Sequence, residues 1–92
     1  MAESVYPMIK TARGTEIPIA SFGVSSLDGL LRIWIPNADL SEMMRTFLDP
    51  EHLPITVHED PDLDPVDFSL YTVFRGAEVD FVGSVMLVLG RI

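Results

Sequence analysis

Asp39-Leu-Ser-Glu-Met-Met-Arg-Thr-Phe-Leu48 is the one stretch of this chain whose apolar residues recur at a helical period. Leu40, Met43, Met44, Phe47 and Leu48 stand at i, i+3, i+4, i+7 and i+8, a single stripe along an α-helix. Ser41, Glu42, Arg45 and Thr46 fall on the opposite face. Asp39 has the chemistry of an N-cap, and Glu42, three residues on, is spaced to reach back as in a capping box. Asp49-Pro50 ends the segment, because a residue before proline is pushed out of the α region. A helix of about ten residues is marginal alone. It needs a surface, and the expectation is an antiparallel sheet curling over it.

Working outward, the run before the helix, Leu30 to Ile35, puts Leu31, Ile33 and Ile35 on one face and Leu30, Arg32 and Trp34 on the other. Both faces are largely apolar, which reads as a central strand or one covered on each side. Ser25-Ser-Leu-Asp-Gly29 before it ends in Asp-Gly, a hairpin signal. Thr15 to Val24 alternates weakly around Ile17 and Ile19 and reads as one strand, with Pro18 pointing to an edge or a bulge. Val5 to Lys10 contains Pro7 and reads as an edge strand or an extended arm.

After the helix, Asp49-Pro-Glu-His52 suits one further turn capped by Asp49 with Pro50 at its first position. Pro54 to His58 is a short strand. Glu59 to Asp67 is an acidic, proline-punctuated loop, too polar and broken for regular structure. Phe68 to Arg75 alternates as a strand, Gly76 marks a bulge, and the strand continues to Asp80. Phe81-Val-Gly-Ser84 is a turn. Val85 to Ile92 is a closing strand with Val85, Leu87 and Leu89 facing one way and Met86 and Val88 the other. The expected fold is a single α+β domain spanning 1–92. It has about six mostly antiparallel strands, with the helix between the third and fourth (β-β-β-α-β-β-β).

Composition narrows the function. Ninety-two residues suit one core, and 48% hydrophobic against 22% charged is globular. With no run of about 18 apolar residues, neither a membrane span nor a signal peptide is expected. That predicts a soluble, non-secreted protein. The chain has no cysteine, so it has neither disulfides nor thiolate metal sites. Its formal charge of −8, from 14 acidic and 6 basic residues, opposes direct contact with a nucleic-acid backbone.

No stretch of the sequence carries a catalytic signature. Asp60, Asp62 and Asp64 have the alternate spacing that begins a helix-loop-helix calcium site, but Pro65 stands where glycine is required and Tyr71 where a bidentate glutamate is required. A looser calcium site at these three aspartates is the one metal candidate. His52 and His58 lack zinc spacing. No Gly-x-Ser-x-Gly elbow and no phosphate-binding glycine loop occurs. A non-enzymatic protein without a cofactor is therefore expected. Its candidate interaction residues are Leu30, Trp34, Tyr71 and Met86, an apolar set that the helix leaves uncovered if it packs on the other face.

Arg13-Gly-Thr-Glu-Ile-Pro-Ile, Leu31-Arg-Ile-Trp-Ile-Pro, the segment from Asp39 to Glu51, Ile55-Thr-Val-His-Glu-Asp and Tyr71-Thr-Val-Phe together resemble small proteins encoded in the prophage structural regions of Gram-positive gut bacteria. The resemblance runs from Gly14 to Leu89. It departs at the long loop 59–67, where a tight turn is usual, and at the arm 5–10. It implies a virion or tail-assembly component that contacts itself and other virion proteins, an exposed strand edge being the expected route. The competing expectation is an acidic inhibitor that covers a basic nucleic-acid-binding protein surface, with Glu59, Asp60, Asp62, Asp64 and Asp67 as decoy charges.

Overall fold

Two aliphatic runs with period-two alternation meet at the centre of the molecule. Strand β4 (Leu31–Ile35) pairs antiparallel with the closing strand, β8 (Val85–Gly90), placing Leu31 opposite Leu89, Ile33 opposite Leu87 and Ile35 opposite Val85. All six side chains are buried. β3 (Ser21–Val24) and β7 (Val73–Val79) flank this pair, giving a sheet of order β3-β4-β8-β7. A computed structural model describes residues 6–80 and 82–92, which contain eight strands, one helix and one 3₁₀ turn.

The other four strands are short. β1 (Met8–Lys10), β2 (Glu16–Pro18), β5 (Thr56–His58) and β6 (Val66–Asp67) form a second antiparallel sheet of order β2-β1-β5-β6. Ile9 lies opposite both Ile17 and Val57. These three join Leu31, Ile33, Leu87 and Leu89 in one hydrophobic core with Ile19, Ile35, Leu53, Ile55 and Phe68. The architecture is α+β with two antiparallel sheets whose inner faces meet.

The chain passes between the sheets three times, and the first passage, from β2 to β3, is a tight corner. Ile19 N–H donates to Pro7 O at 2.9 Å, beside the first sheet, while Ala20 N–H donates to Trp34 O at 2.8 Å, beside the second. The chain changes sheets between two consecutive residues. Alternation continues through the corner and keeps Ile17 and Ile19 inside. This is why the expected single strand 15–24 is two strands in different sheets.

The helix α1 (Leu40–Leu48) has the expected cap: Asp39 accepts from Ser41 N–H at 2.8 Å and Glu42 N–H at 3.2 Å. Asp49 then caps the 3₁₀ turn Pro50–His52 through Glu51 N–H at 3.0 Å. Arg13 fastens the β1–β2 turn here, 2.7 Å from Glu51 and 3.5 Å from Asp49. The helix is nonetheless not the centre of the fold. It packs along β7 and β8, and of its apolar stripe only Phe47 is buried; Leu48 is 63% exposed. The core forms between the sheets, so the helix needs to contribute only one large side chain and some partial cover from Met43.

Other expectations are corrected. There are eight strands where about six are expected, and the helix lies between the fourth and fifth where the third and fourth are expected. Strand 8–10 is an inner strand between β2 and β5 and not an edge. Pro7 precedes the ladder and so removes no donor from it. Val5 lies outside the described residues, as does Phe81 of the expected final turn. The acidic stretch is not wholly irregular, since Val66 pairs with Val57 and Asp67 with Thr56. Residues 68–72 precede β7 without joining it. The bulge is where glycine marks it: between Phe74 and Gly76 the register against β8 slips by one, and Gly76 takes φ 152°. No helix among the described residues is long and apolar enough to cross a membrane.

This division of labour within one helix is measurable. Phe47→Ala is expected to cost about 3–5 kcal/mol, as for a fully buried aromatic, whereas Leu48→Ala should change stability by no more than about 0.5 kcal/mol. Urea unfolding followed by circular dichroism reads both. Equal losses at the two positions would mean that the helix is buried along its whole stripe.

Candidate functional site

The outer face of the β3-β4-β8-β7 sheet is the first candidate. Trp34 and Met86 are direct cross-strand neighbours, as are Arg32 and Val88, and Leu30 precedes Arg32 on the same side. All five are half-buried, and none belongs to the core cluster. Ser21 lies opposite Trp34, Gly23 opposite Arg32, Gly76 opposite Val88 and Glu78 opposite Met86. Ser21, Gly23 and Gly76 are small and Glu78 is charged, which leaves Trp34 and Met86 as the prominent apolar groups. A shallow groove of about 360 Å³ crosses this face, lined by Leu30, Arg32, Arg75, Glu78, Met86 and Val88 among others.

Three of the four expected interaction residues, Leu30, Trp34 and Met86, therefore share the outer face. Tyr71 does not join them. Its ring meets Phe68 edge-on at 5.6 Å, Phe68 in turn meets Phe22 at 5.9 Å, and Tyr71 packs against the core. The alternation of 68–75 puts Tyr71 on the outer face only if that segment is a strand throughout, and it turns before β7 begins.

At the end of this sheet, where β4 starts and β8 finishes, lies a cleft of about 520 Å³. The hairpin Asp28–Leu30, the segment Ser69–Thr72, Arg75 and the pair Arg91–Ile92 line it. Asp28 is anchored: its carboxylate accepts from Leu30 N–H at 2.9 Å and forms an ion pair with Arg32 at 2.7 Å. The Arg32 hydrogen bond and the Leu30 amide hold the Asp28 carboxyl down at about 2, from an ordinary 3.8. Gly29 at φ 70° makes the tight turn that places this carboxylate beside Arg32.

Arg75 is the bulged residue of β7, and the bulge turns its side chain across the neighbouring strand. A methyl group at Gly90 would lie 2.8 Å from Arg75 Nε and 3.2 Å from Leu30 Cδ2, so Gly90 is the bare spot over which Arg75 lies. Arg91 sits over the Tyr71 ring at 5.8 Å, a cation–π contact at the tip of the Phe22–Phe68–Tyr71 stack. The hydroxyl oxygen of Thr72 is buried and has no hydrogen-bond partner among the described residues.

The metal candidates resolve into local hydrogen bonds. Asp60 accepts from Asp62 N–H at 2.8 Å, an Asx turn. No group of three or more His, Asp or Glu side chains is placed to hold a metal among the described residues, Asp60, Asp62 and Asp64 included. His52 Nδ1 lies 3.1 Å from the buried Thr11 hydroxyl and His58 Nε2 lies 3.0 Å from that of Thr56. Glu59, Asp60, Asp62, Asp64 and Asp67 are all exposed.

Comparison with protein-family models, with curated proteins and with solved structures finds no match to this chain. Arg75, Gly90, Arg91 and Thr72 do not stand out in the sequence, because a charged residue on a strand is by default a solvated one. The available signals are two glycines within apolar strands, one marking a bulge and the other a close approach.

The Asp28–Arg32 pair has a defined pH dependence. Its folded-state carboxyl is held below the unfolded value, so its contribution is present above pH 3.8 and is lost as pH falls toward about 2. The stability advantage of the native protein over Asp28→Asn should therefore shrink across that window. Thermal unfolding of both proteins at several pH values checks it. A gap constant with pH would mean that the pair adds nothing.

Proposed function

We propose that this chain is a non-enzymatic, phage-derived structural or assembly protein that acts by protein–protein contact, with the phage tail as its place of assembly. Its place is the cytoplasm of the bacterial host or the virion. Other virion proteins are its remaining partners, and a second copy of itself is its first. The motifs from Gly14 to Leu89 support the phage origin, and the outer face centred on Trp34 and Met86 supports the mode of action.

Charge favours this face for self-association. The molecule as a whole carries −8, which drives copies apart. The outer face mixes signs, with Arg32 and Arg75 near Glu78 around an apolar centre. In a two-fold contact the same patch meets itself, so cations of one copy can face Glu78 of the other. Strand edges are less suitable. β2 carries Pro18, β6 has two residues, β3 has four and β7 is bulged, and each of these features obstructs addition of a further strand.

A second reading rests on the exposed carboxylates from Glu59 to Asp67, which suit an acidic inhibitor of a basic nucleic-acid-binding protein. Salt separates the two, because a decoy complex weakens steeply with ionic strength and an apolar interface does not.

The deciding measurement is absolute mass by size exclusion with light scattering at low and high salt. A salt-resistant oligomer is expected, converted to folded monomer by Trp34→Glu or Met86→Glu. A monomer at both salts would overturn self-association. Unchanged assembly with lost stability in Trp34→Ala would reassign Trp34 to the core.

A further inference from the structure

We infer that the cleft between the Asp28–Leu30 hairpin, Ser69–Thr72, Arg75 and Arg91 is a binding site for a singly charged carboxylate attached to an apolar body. The inference does not depend on self-association through the Trp34 face.

The charge balance within the cleft comes first. Its one acidic side chain, Asp28, is paired with Arg32 at 2.7 Å. Arg75 and Arg91 remain, and neither has an ion-pair partner among the described residues. Two arginines without an ion-pair partner among the described residues thus line one concavity of a molecule whose net charge is −8. Arg75 shares the neighbouring groove with Glu78, yet neither arginine forms an ion pair with any carboxylate among the described residues. Arg75 is held by the bulge and by its seat on Gly90, Arg91 by the Tyr71 ring.

Ligand class follows from the lining. A guanidinium presents a planar fork that matches a carboxylate in two parallel hydrogen bonds. Ser69 supplies a hydroxyl, and Thr72 a hydroxyl oxygen that has no partner among the described residues. Leu30, Leu70 and Ile92 supply apolar walls, and about 520 Å³ is the size of a small-molecule site. A polyanion is disfavoured, since each added negative charge is repelled by the molecule as a whole while only two cations receive it. The same chemistry is offered by a free apolar acid and by the carboxyl end of a polypeptide.

Titration of the full chain with N-acetyl-leucine, followed by amide and arginine side-chain NMR, tests this. Saturable shifts are expected at Gly29, Leu30, Ser69, Thr72, Arg75 and Arg91. Arg75→Gln and Arg91→Gln should each weaken binding by about tenfold or more, while Arg13→Gln, in the distant ion pair with Glu51, leaves it unchanged. Gly90→Ala should weaken binding with the fold retained, because the new methyl displaces the end of a flexible side chain. Tighter binding of an acetylated pentapeptide ending in leucine would assign the source as a polypeptide terminus, and equal binding a free acid. The assignment is overturned if N-acetyl-leucinamide, which lacks the carboxylate, binds as well, if inorganic phosphate binds more tightly, or if no saturable shift occurs.

Discussion

Neither sheet of this protein can exist without the other. Strands of two to seven residues bury too little area to offset their own conformational entropy. Stability comes from the contact between Ile9, Ile17 and Val57 on one sheet and Leu31, Ile33, Leu87 and Leu89 on the other. Each fully buried aliphatic side chain contributes about 1.5–3 kcal/mol relative to exposure. The crossing at Ile19–Ala20, the single buried side chain of the helix and the docking of Arg13 onto Asp49 and Glu51 all serve to bring those inner faces together.

That arrangement also decides which surfaces are left over. A two-sheet core uses one face of each sheet, and the helix covers the inner side of β7 and β8, where Phe47 enters the core. The outer face of the larger sheet keeps Trp34, Met86, Leu30 and Val88 half-buried in a molecule that is otherwise strongly acidic. Its end opens into the arginine-lined cleft because β7 bulges there and β8 carries glycine at position 90. The two candidate surfaces adjoin through Leu30 and Arg75, which line both the groove and the cleft.

Much of the local structure was readable from single residues. Asp39 caps the helix and Asp49-Pro50 ends it because capping and proline sterics act over three or four residues. The faces of β4 and β8 follow from alternation alone. The strand count did not, since Ile17 and Ile19 alternate without interruption through a corner at which the chain changes sheets. Val66 and Asp67 form a strand only because Val57 and Thr56 lie opposite, and nothing in a two-residue segment announces its partner. Tyr71 departs from the expected outer face for a similar reason, as 68–72 alternates like a strand but turns, bringing Phe68 edge-on to Phe22 and Tyr71 against the core.

By itself, the sequence determined what is local or additive: the helix and its ends, the inward side chains of β4 and β8, the Gly76 bulge, the charge of −8 and the absence of cysteine chemistry. Tertiary structure decided which strands share a sheet, that the core lies between sheets and not beneath the helix, and that Arg75 and Arg91 reach one cleft. The physical reason is range. Capping, proline sterics and side-chain periodicity are set within a few covalent bonds. Sheet membership, and the meeting of two arginines sixteen residues apart, are set by burial between segments distant in the chain, to which many different pairings contribute similar apolar area.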